Sequence, residues 1–396
     1  MQKFLCLLLL VGLAVSPGWA QRQIGEVNVV VDATKTIPVR VSANTPELNA
    51  LALLAFKSHG LYRLVASGYQ FDIKFSAVTA TQVRVDVTQN PGNAAVVSEA
   101  VSGTTVRQAL LRAADVAVTR TNGLGLRGFF TARLAFVGEV GGKKEVHVSD
   151  LFFTPGETKR LTNDRSQVLT PRFSPDGSML LYTSYFKTGF PDIYQHNLRT
   201  FERTTWLSLR GSNLSPRFSP NGQQVALVLS GEGATEIYVS NAQGRQIARR
   251  TRSDQVKSSP GWSPDGSRIV FAMDPGPQLY MMPAGGGGVQ RLVTGFTYAA
   301  EPDWSRGNPN KIACTIREGA RYQIAVYDFA KGKATKVSNA PFDAVEPCWL
   351  ADGRHLVYTA RDRSTNVLCI LDTETGKSTP ISLGFPGSLQ ANVWTP

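Results

Sequence analysis

The chain has 396 residues, 42% hydrophobic and 18% charged, with 42 Lys and Arg against 30 Asp and Glu for a formal net charge of +12. That length exceeds what one small core organises and predicts two or three domains. The basic excess does not single out nucleic acid. Residues 21–128 carry 11 basic and 7 acidic side chains, residues 129–396 carry 30 and 23, and no basic run reaches five, so the charge is spread over a solvated surface.

At the start of the chain, Lys3 precedes an apolar run from Phe4 to Val15 and then SPGWA, where Gly18 and Ala20 are the small residues that signal peptidase requires. About a dozen apolar residues fall short of the roughly 20 that span a bilayer, which predicts a cleaved export signal over residues 1–20 and a mature chain from Gln21, with no membrane span. Cys314, Cys348 and Cys369 then remain, each in an apolar strand-like run (IACTI, EPCWL, VLCI). Their odd number and setting predict buried free thiols.

Residues 21–128 read as a small α/β domain. GEVNVVVD is a candidate strand, and TPELNALALLAFKSHG a helix with Thr45 as cap, Pro46 in the first turn and Gly60 at its end. The strands YQFDIKFSAV, QVRVDVTQ and AAVVSEAV follow with period-two alternation, then a second helix in TTVRQALLRAADVAVTRTNG. GLGLRG, residues 123–128, is formally a G-x-G-x-x-G. A dinucleotide fingerprint needs a strand before it and a helix after it, and here the order is reversed, so the segment is a helix stop and linker.

Residues 129–396 repeat one sentence: PRFSPDGSMLLYTS, PRFSPNGQQVALVLS, PGWSPDGSRIVFA, PDWSRGNPNKIACT and PCWLADGRHLVYT. Aligned on Phe173, Phe218, Trp262, Trp304, Trp349 and Trp394, the spacings are 45, 44, 42, 45 and 45. A period in the low forties, with several short strands per unit, is that of a β-propeller blade. In PDG, Pro175 presets φ and Gly177 accepts a positive φ. MLLYTS, DIYQHN and ERTTWLS supply the later strands. The final copy stops after one strand, whereas TARLAFVGEV, KEVHVSDL and ETKRLT supply three strands lacking a first. Pairing QANVWTP with TARLAFV makes one whole blade from the two ends and removes exposed edges. The fold predicted is mainly β: a six-bladed β-propeller over residues 129–396, closed by the C-terminal strand and preceded by the small α/β domain.

Enzymatic constellations are not supported. There is no G-x-S-x-G elbow. His59, His147, His196 and His355 lie on separate elements without metal-site spacing, and GGGG at 285–288 is not followed by Lys and Ser or Thr. Turn chemistry explains Asp176 and Asp265. No cofactor or metal is expected. What remains is the ring of residues before the first strand of each blade, at one mouth of the central channel: Thr170, Ser215, Ser259, Glu301, Glu346 and Ala391, with Asn213, Lys257 and Gln390 further back. Other copies carry Thr, Ser or Ala where these two carry glutamate, so the blade itself needs no carboxylate there. Both a specific partner-binding surface and a solvated loop rim fit this pattern.

The α/β domain, the junction GLRGFFTARLAFVGE, the passage KRLTNDRSQVLTPRFSPDGSMLLYTS and six blades closed by NVWTP together resemble the TolB family of the Tol-Pal envelope system. The resemblance implies a non-enzymatic periplasmic adaptor, monomeric, that supports outer-membrane integrity and cell division. It implies binding of a Pal-like peptidoglycan-associated lipoprotein at the channel mouth. The matching stretches are AAEP, hence Ala300 and Glu301, and GSNLSP, hence Ser212, Asn213 and Ser215. It also implies contact with a TolA-like inner-membrane protein through QRQIGEV, that is Gln21, Arg22, Gln23, Ile24, Gly25, Glu26 and Val27. The alternative from another class is a secreted propeller hydrolase or lyase using the neighbouring channel carboxylates Glu301 and Glu346.

Overall fold

A computed structural model of the chain describes residues 33–396, positions 155, 364 and 386 excepted. The signal expected over residues 1–20, the strand expected in GEVNVVVD and the partner segment Gln21–Val27 lie outside the described residues. Among the described residues, two α-helices and a five-stranded sheet precede six four-stranded blades. No helix among them is long and apolar enough to cross a membrane.

The five-stranded sheet contains β1 (Ile37–Ala43), β2 (Tyr62–Leu64), β3 (Phe71–Thr79), β4 (Gln82–Gln89) and β5 (Ala94–Ser102) in the order β2-β1-β3-β4-β5. β1 runs parallel to β2 and β3, and the other pairs are antiparallel. Helix α1 (Pro46–Ser58) makes the crossover from β1, and α2 (Val106–Thr121) follows β5. Both helices begin on threonine caps: Thr45 accepts the Leu48 N–H at 3.3 Å and Thr105 accepts that of Gln108 at 3.2 Å, which satisfies donors the first turn leaves open. Alternate residues of β4, namely Val83, Val85 and Val87, are fully buried. Two strands escape the sequence pattern. β1 contains Pro38, which argues against a strand, and β2 is three residues long, too short to show a period.

Residues 122–128 form no regular element, as expected of a linker, but the chain beyond them is clamped. Asp115 of α2 accepts the N–H groups of Phe129 and Phe130 through Oδ1 at 3.0 and 2.8 Å, and the Thr131 hydroxyl through Oδ2 at 2.9 Å. Phe129 and Phe130 are buried in a core shared by Phe56 and Tyr62 from the α/β unit and Leu350, Val357 and Ile370 from the propeller. The two parts are thus packed as one apolar body, and burial of this shared surface opposes their separation.

In five blades the inner strand carries the repeat's aromatic residue, and in four of these a Pro-Asp-Gly type turn leads outward. Gly177, Gly222, Gly266 and Gly353 have φ of 69°, 72°, 72° and 67°, the conformation the PDG pattern predicts. Asp176 accepts from Ser174 Oγ at 2.5 Å and from the Ser178 N–H at 3.1 Å, which is the turn role expected for it. The ring closes by antiparallel pairing of Ser388–Trp394 with Arg133–Val140, followed outward by Lys143–Asp150 and Lys159–Arg160.

The closing strand corrects one expectation. Cys348 and Trp349 pair with Val357 and Leu356, and the equivalent pairs in the last blade are Asn392 with Ala135 and Val393 with Leu134. Val393, not Trp394, therefore occupies the position of Trp349. Aligning on the aromatic side chain misplaced the copy by one residue, because backbone register sets equivalence. Trp394 still seals the seam: its ring centroid lies 6.3 Å from that of Phe173, and its Nε1–H donates to Pro175 O at 3.0 Å. Cys314, Cys348 and Cys369 are buried free thiols, with burial pushing them up to about 12, 11 and 12.

The histidines are less scattered than their spacing suggested. The fold brings the His59 and His355 rings to a centroid distance of 4.4 Å, beside Phe129, where the two parts of the chain meet. With Asp352 they could offer three ligand atoms within 4.8 Å of one another. The cluster is balanced by its own charges. His355 Nδ1 lies 2.5 Å from Asp352 Oδ2, and Arg354 holds Asp372 at 2.8 Å. Burial opposes charge on His355, but Asp352 and Asp372 together push it up to about 9. Burial also opposes charge on Asp372, yet His355 and Arg354 hold it well below the usual carboxylate range.

Candidate functional site at the channel mouth

Every inner strand breaks register at the same place, between Leu181 and Thr183 of the partner strand in the first blade and at the equivalent pair in the other five. The residue at each bulge adopts a left-handed backbone: Thr170, Ser215, Ser259, Glu301, Glu346 and Gln390, with φ between 49° and 57°. Glycine would take this conformation freely, whereas a residue with a Cβ is strained there by about 1 kcal/mol or more. The blades use side-chain residues at all six places. In the sixth, the rim residue is Gln390, and Ala391 takes the buried place of the repeated proline, which corrects the expected position by one.

Three of these side chains bridge neighbouring blades. Glu301 Oε2 accepts the Glu346 N–H at 2.9 Å and the Thr315 hydroxyl at 2.6 Å. Glu346 Oε2 accepts the Gln390 N–H at 3.0 Å and the Thr359 hydroxyl at 2.8 Å. Gln390 Oε1 accepts the Thr170 N–H at 2.9 Å and so crosses the seam where the ring closes. A second tier repeats the pattern two residues on: Asp303 Oδ2 accepts the Trp349 N–H and Asn392 Oδ1 that of Phe173, both at 2.8 Å. The two glutamates are therefore structural acceptors as well as rim charges, contrary to the expectation that the blade has no use for them. Burial, together with the charge of Glu346, pushes Glu301 up to about 7.

The six bulge residues surround a cavity of about 140 Å³ that also reaches Arg172 and Arg217. Thr170, Ser215 and Ser259 are partly exposed around it, and Ser212, also partly exposed, does not line it. Two residues expected at this rim are withdrawn from it. Asn213 is fully buried, its amide donating to Leu209 O at 2.9 Å and Pro191 O at 3.2 Å. Lys257 is buried against Glu236 at 3.0 Å and donates to Ser253 O at 3.0 Å. In each case a local carbonyl, Leu209 or Ser253, is joined by a partner remote in the chain, Pro191 or Glu236, which sequence position alone does not reveal. Ala300 is also buried, at 6% exposure. Sequence reasoning missed Arg172, Arg217 and Asp303 inside the channel. They occupy the position just after the repeated proline, or after its counterpart, and that regular place was the available signal.

Against this geometry the comparisons are specific. The profile of the TolB beta propeller domain matches residues 123–396. The chain belongs to the TolB beta propeller family. Among curated relatives, this TolB-like chain is 32% identical over 167 residues to the Tol-Pal system protein TolB of Bordetella pertussis, and equally so to that of Bordetella parapertussis. The aligned part is 41% of this chain and spans only 37% of the length of those relatives. Among solved structures, TolB from Acinetobacter baumannii superposes with a TM-score of 0.80 at 22% identity, covering 94% of this chain and 99% of that one. The structure of a putative TolB from Agrobacterium tumefaciens gives 0.52 at 17% identity, covering 68% and 99%. These likenesses establish the TolB-like fold along nearly the whole described chain.

Proposed function

We propose that the chain is the exported, periplasmic adaptor of a Tol-Pal-like system and that it acts by binding, without catalysis. A Pal-like lipoprotein docks at the channel mouth formed by Thr170, Ser212, Ser215, Ser259, Glu301, Glu346 and Gln390. A TolA-like inner-membrane protein engages residues 21–27, and the assembly supports outer-membrane integrity and cell division. The observation that carries this proposal is the ring of six strained, non-glycine residues at one mouth, whose chemistry changes from blade to blade while their backbone does not. Strain retained at six equivalent places points to a use for the side chains displayed there. The family membership and the Tol-Pal naming of the curated relatives support the same partners.

The test must separate recognition from the seam role of the carboxylates. Glu301→Gln and Glu346→Gln keep an amide oxygen for the neighbouring N–H and remove the charge. Calorimetry against the Pal-like lipoprotein of the same cell should show binding weakened at least tenfold in the double variant, with a normal melting curve. Charged interface pairs that lose a partner cost about 2 to 5 kcal/mol when fully desolvated. A double variant that binds as tightly as the parent places the interface elsewhere.

A further inference from the structure

At the end of the channel away from the rim lies a second cavity of about 240 Å³, lined by Arg172, Arg217 and Arg306 and by a single carboxylate, Asp303. Asp303 is already committed. Its Oδ1 accepts from Arg217 Nη1 at 2.5 Å and its Oδ2 from the Trp349 N–H at 2.8 Å. Arg172 donates to the carbonyl of its own neighbour, Pro171, at 3.0 Å. Among the described residues, no ion pair joins Arg172 or Arg306 to a carboxylate. The Arg172 charge thus faces the cavity without an ion-pair partner, and the exposed Arg306 stands at the cavity's edge. Burial first, and the charge of Arg217 second, push Arg172 down to about 10. The Glu346 charge, at the other mouth, is the weakest influence resolved on Arg172.

Charges held in low-dielectric surroundings are ordinarily paired, because leaving one unpaired is costly. Trp262, Trp304, Trp349 and Trp394 also line the cavity, and apolar walls strengthen an electrostatic contact beside them. Guanidinium groups present planar forks that match an oxyanion by parallel hydrogen bonds. We propose that this cavity is an anion site, in which the guanidinium groups of Arg172, Arg217 and Arg306 take a compact oxyanion of the phosphate class. The ligand is either free phosphate or the phosphate ester of a small organic molecule. The site meets the rim cavity at Arg172 and Arg217, which line both, while its third arginine, Arg306, lies outside the lipoprotein interface proposed above.

The experiment is isothermal titration of the mature protein with inorganic phosphate and, in parallel, with glycerol phosphate, each against chloride at matched ionic strength. One saturable site is expected. Tighter binding of the ester assigns an organic phosphate, and equal binding assigns the free ion. Arg172→Gln should weaken binding at least tenfold and Arg306→Gln, at the exposed edge of the cavity, several-fold, whereas Arg199→Gln on the outer surface should bind as the parent does. Melting curves identify any variant that fails to fold, and Arg306→Gln, being exposed, keeps the test open if Arg172→Gln does not fold. No heat beyond the chloride control, or a folded Arg306→Gln that binds like the parent, overturns the proposal.

Discussion

Replacing Glu301 by glutamine should make the protein more stable at high pH and leave it unchanged in acid. In the folded chain, burial and the neighbouring Glu346 charge raise this carboxyl from 4.5 to about 7. Between those values the folded state holds a proton that the unfolded chain has released, so stability falls as pH rises through the window. The loss is complete above about pH 7 and absent below 4.5. A shift of that size corresponds to about 3 kcal/mol at most. Charge-assisted hydrogen bonds from the Glu346 N–H and the Thr315 hydroxyl return part of it. Glutamine keeps one oxygen for those donors without the charge. We therefore expect Glu301→Gln to gain about 1 to 2 kcal/mol over the parent at pH 8 and nearly nothing at pH 4.5. Urea unfolding of both proteins at pH 4.5, 6 and 8, at constant ionic strength, measures the difference. Parallel pH profiles, or a variant less stable than the parent at pH 8, would refute the assignment of a disfavoured carboxylate to this seam.

Two further outcomes follow from the ring. Deleting residues 388–396 strips the edge of Arg133–Val140 and removes the acceptors of the Thr170 and Phe173 N–H groups, so melting should fall by ~10 °C or more, or the protein should aggregate; a deletion that melts like the intact chain contradicts closure by the two ends. Gly177 and Gly266 hold the same turn with φ of 69° and 72°, but a Cβ at Gly177 would lie 2.3 Å from the Trp394 indole, against 3.6 Å from Pro220 at Gly266. Gly266→Ala should cost about 1 kcal/mol from backbone strain alone, and Gly177→Ala about 2 kcal/mol more from overpacking. Equal costs in urea melts would show that Trp394 does not press on that turn.

Much of this molecule is written locally. A Pro-Asp-Gly type turn needs only its own residues to choose its backbone, so Pro175 and Gly177 announce one blade and the like turns at Gly222, Gly266 and Gly353 three more. Thr45 caps its helix through an N–H group three residues away and is visible in the sequence for that reason; Thr105 caps the second helix in the same way. The half-blade at either end of the chain also declares itself, because a repeat with one strand must borrow the other three. The thiols of Cys314, Cys348 and Cys369 are legible as buried because each stands in an apolar run that has to face a core.

The site is different, because its features depend on residues far apart in the chain. Asn213 and Lys257 read as polar rim residues, and only the fold supplies the carbonyl of Pro191 and the carboxylate of Glu236 that bury them. Backbone pairing, which no side-chain alignment contains, moved the last copy by one residue and put Gln390 at the mouth in place of Ala391. His59 and His355 meet only because α1 packs against the fifth blade through Phe129. The sequence by itself determined the two helices, the number of blades and the closure of the ring, since those rest on short-range turn chemistry and periodicity, whereas β1 and β2 escaped it. Which polar groups face the channel, which hold the blades together and which charges lack a partner was decided by the tertiary structure, because burial and pairing are properties of neighbours in space.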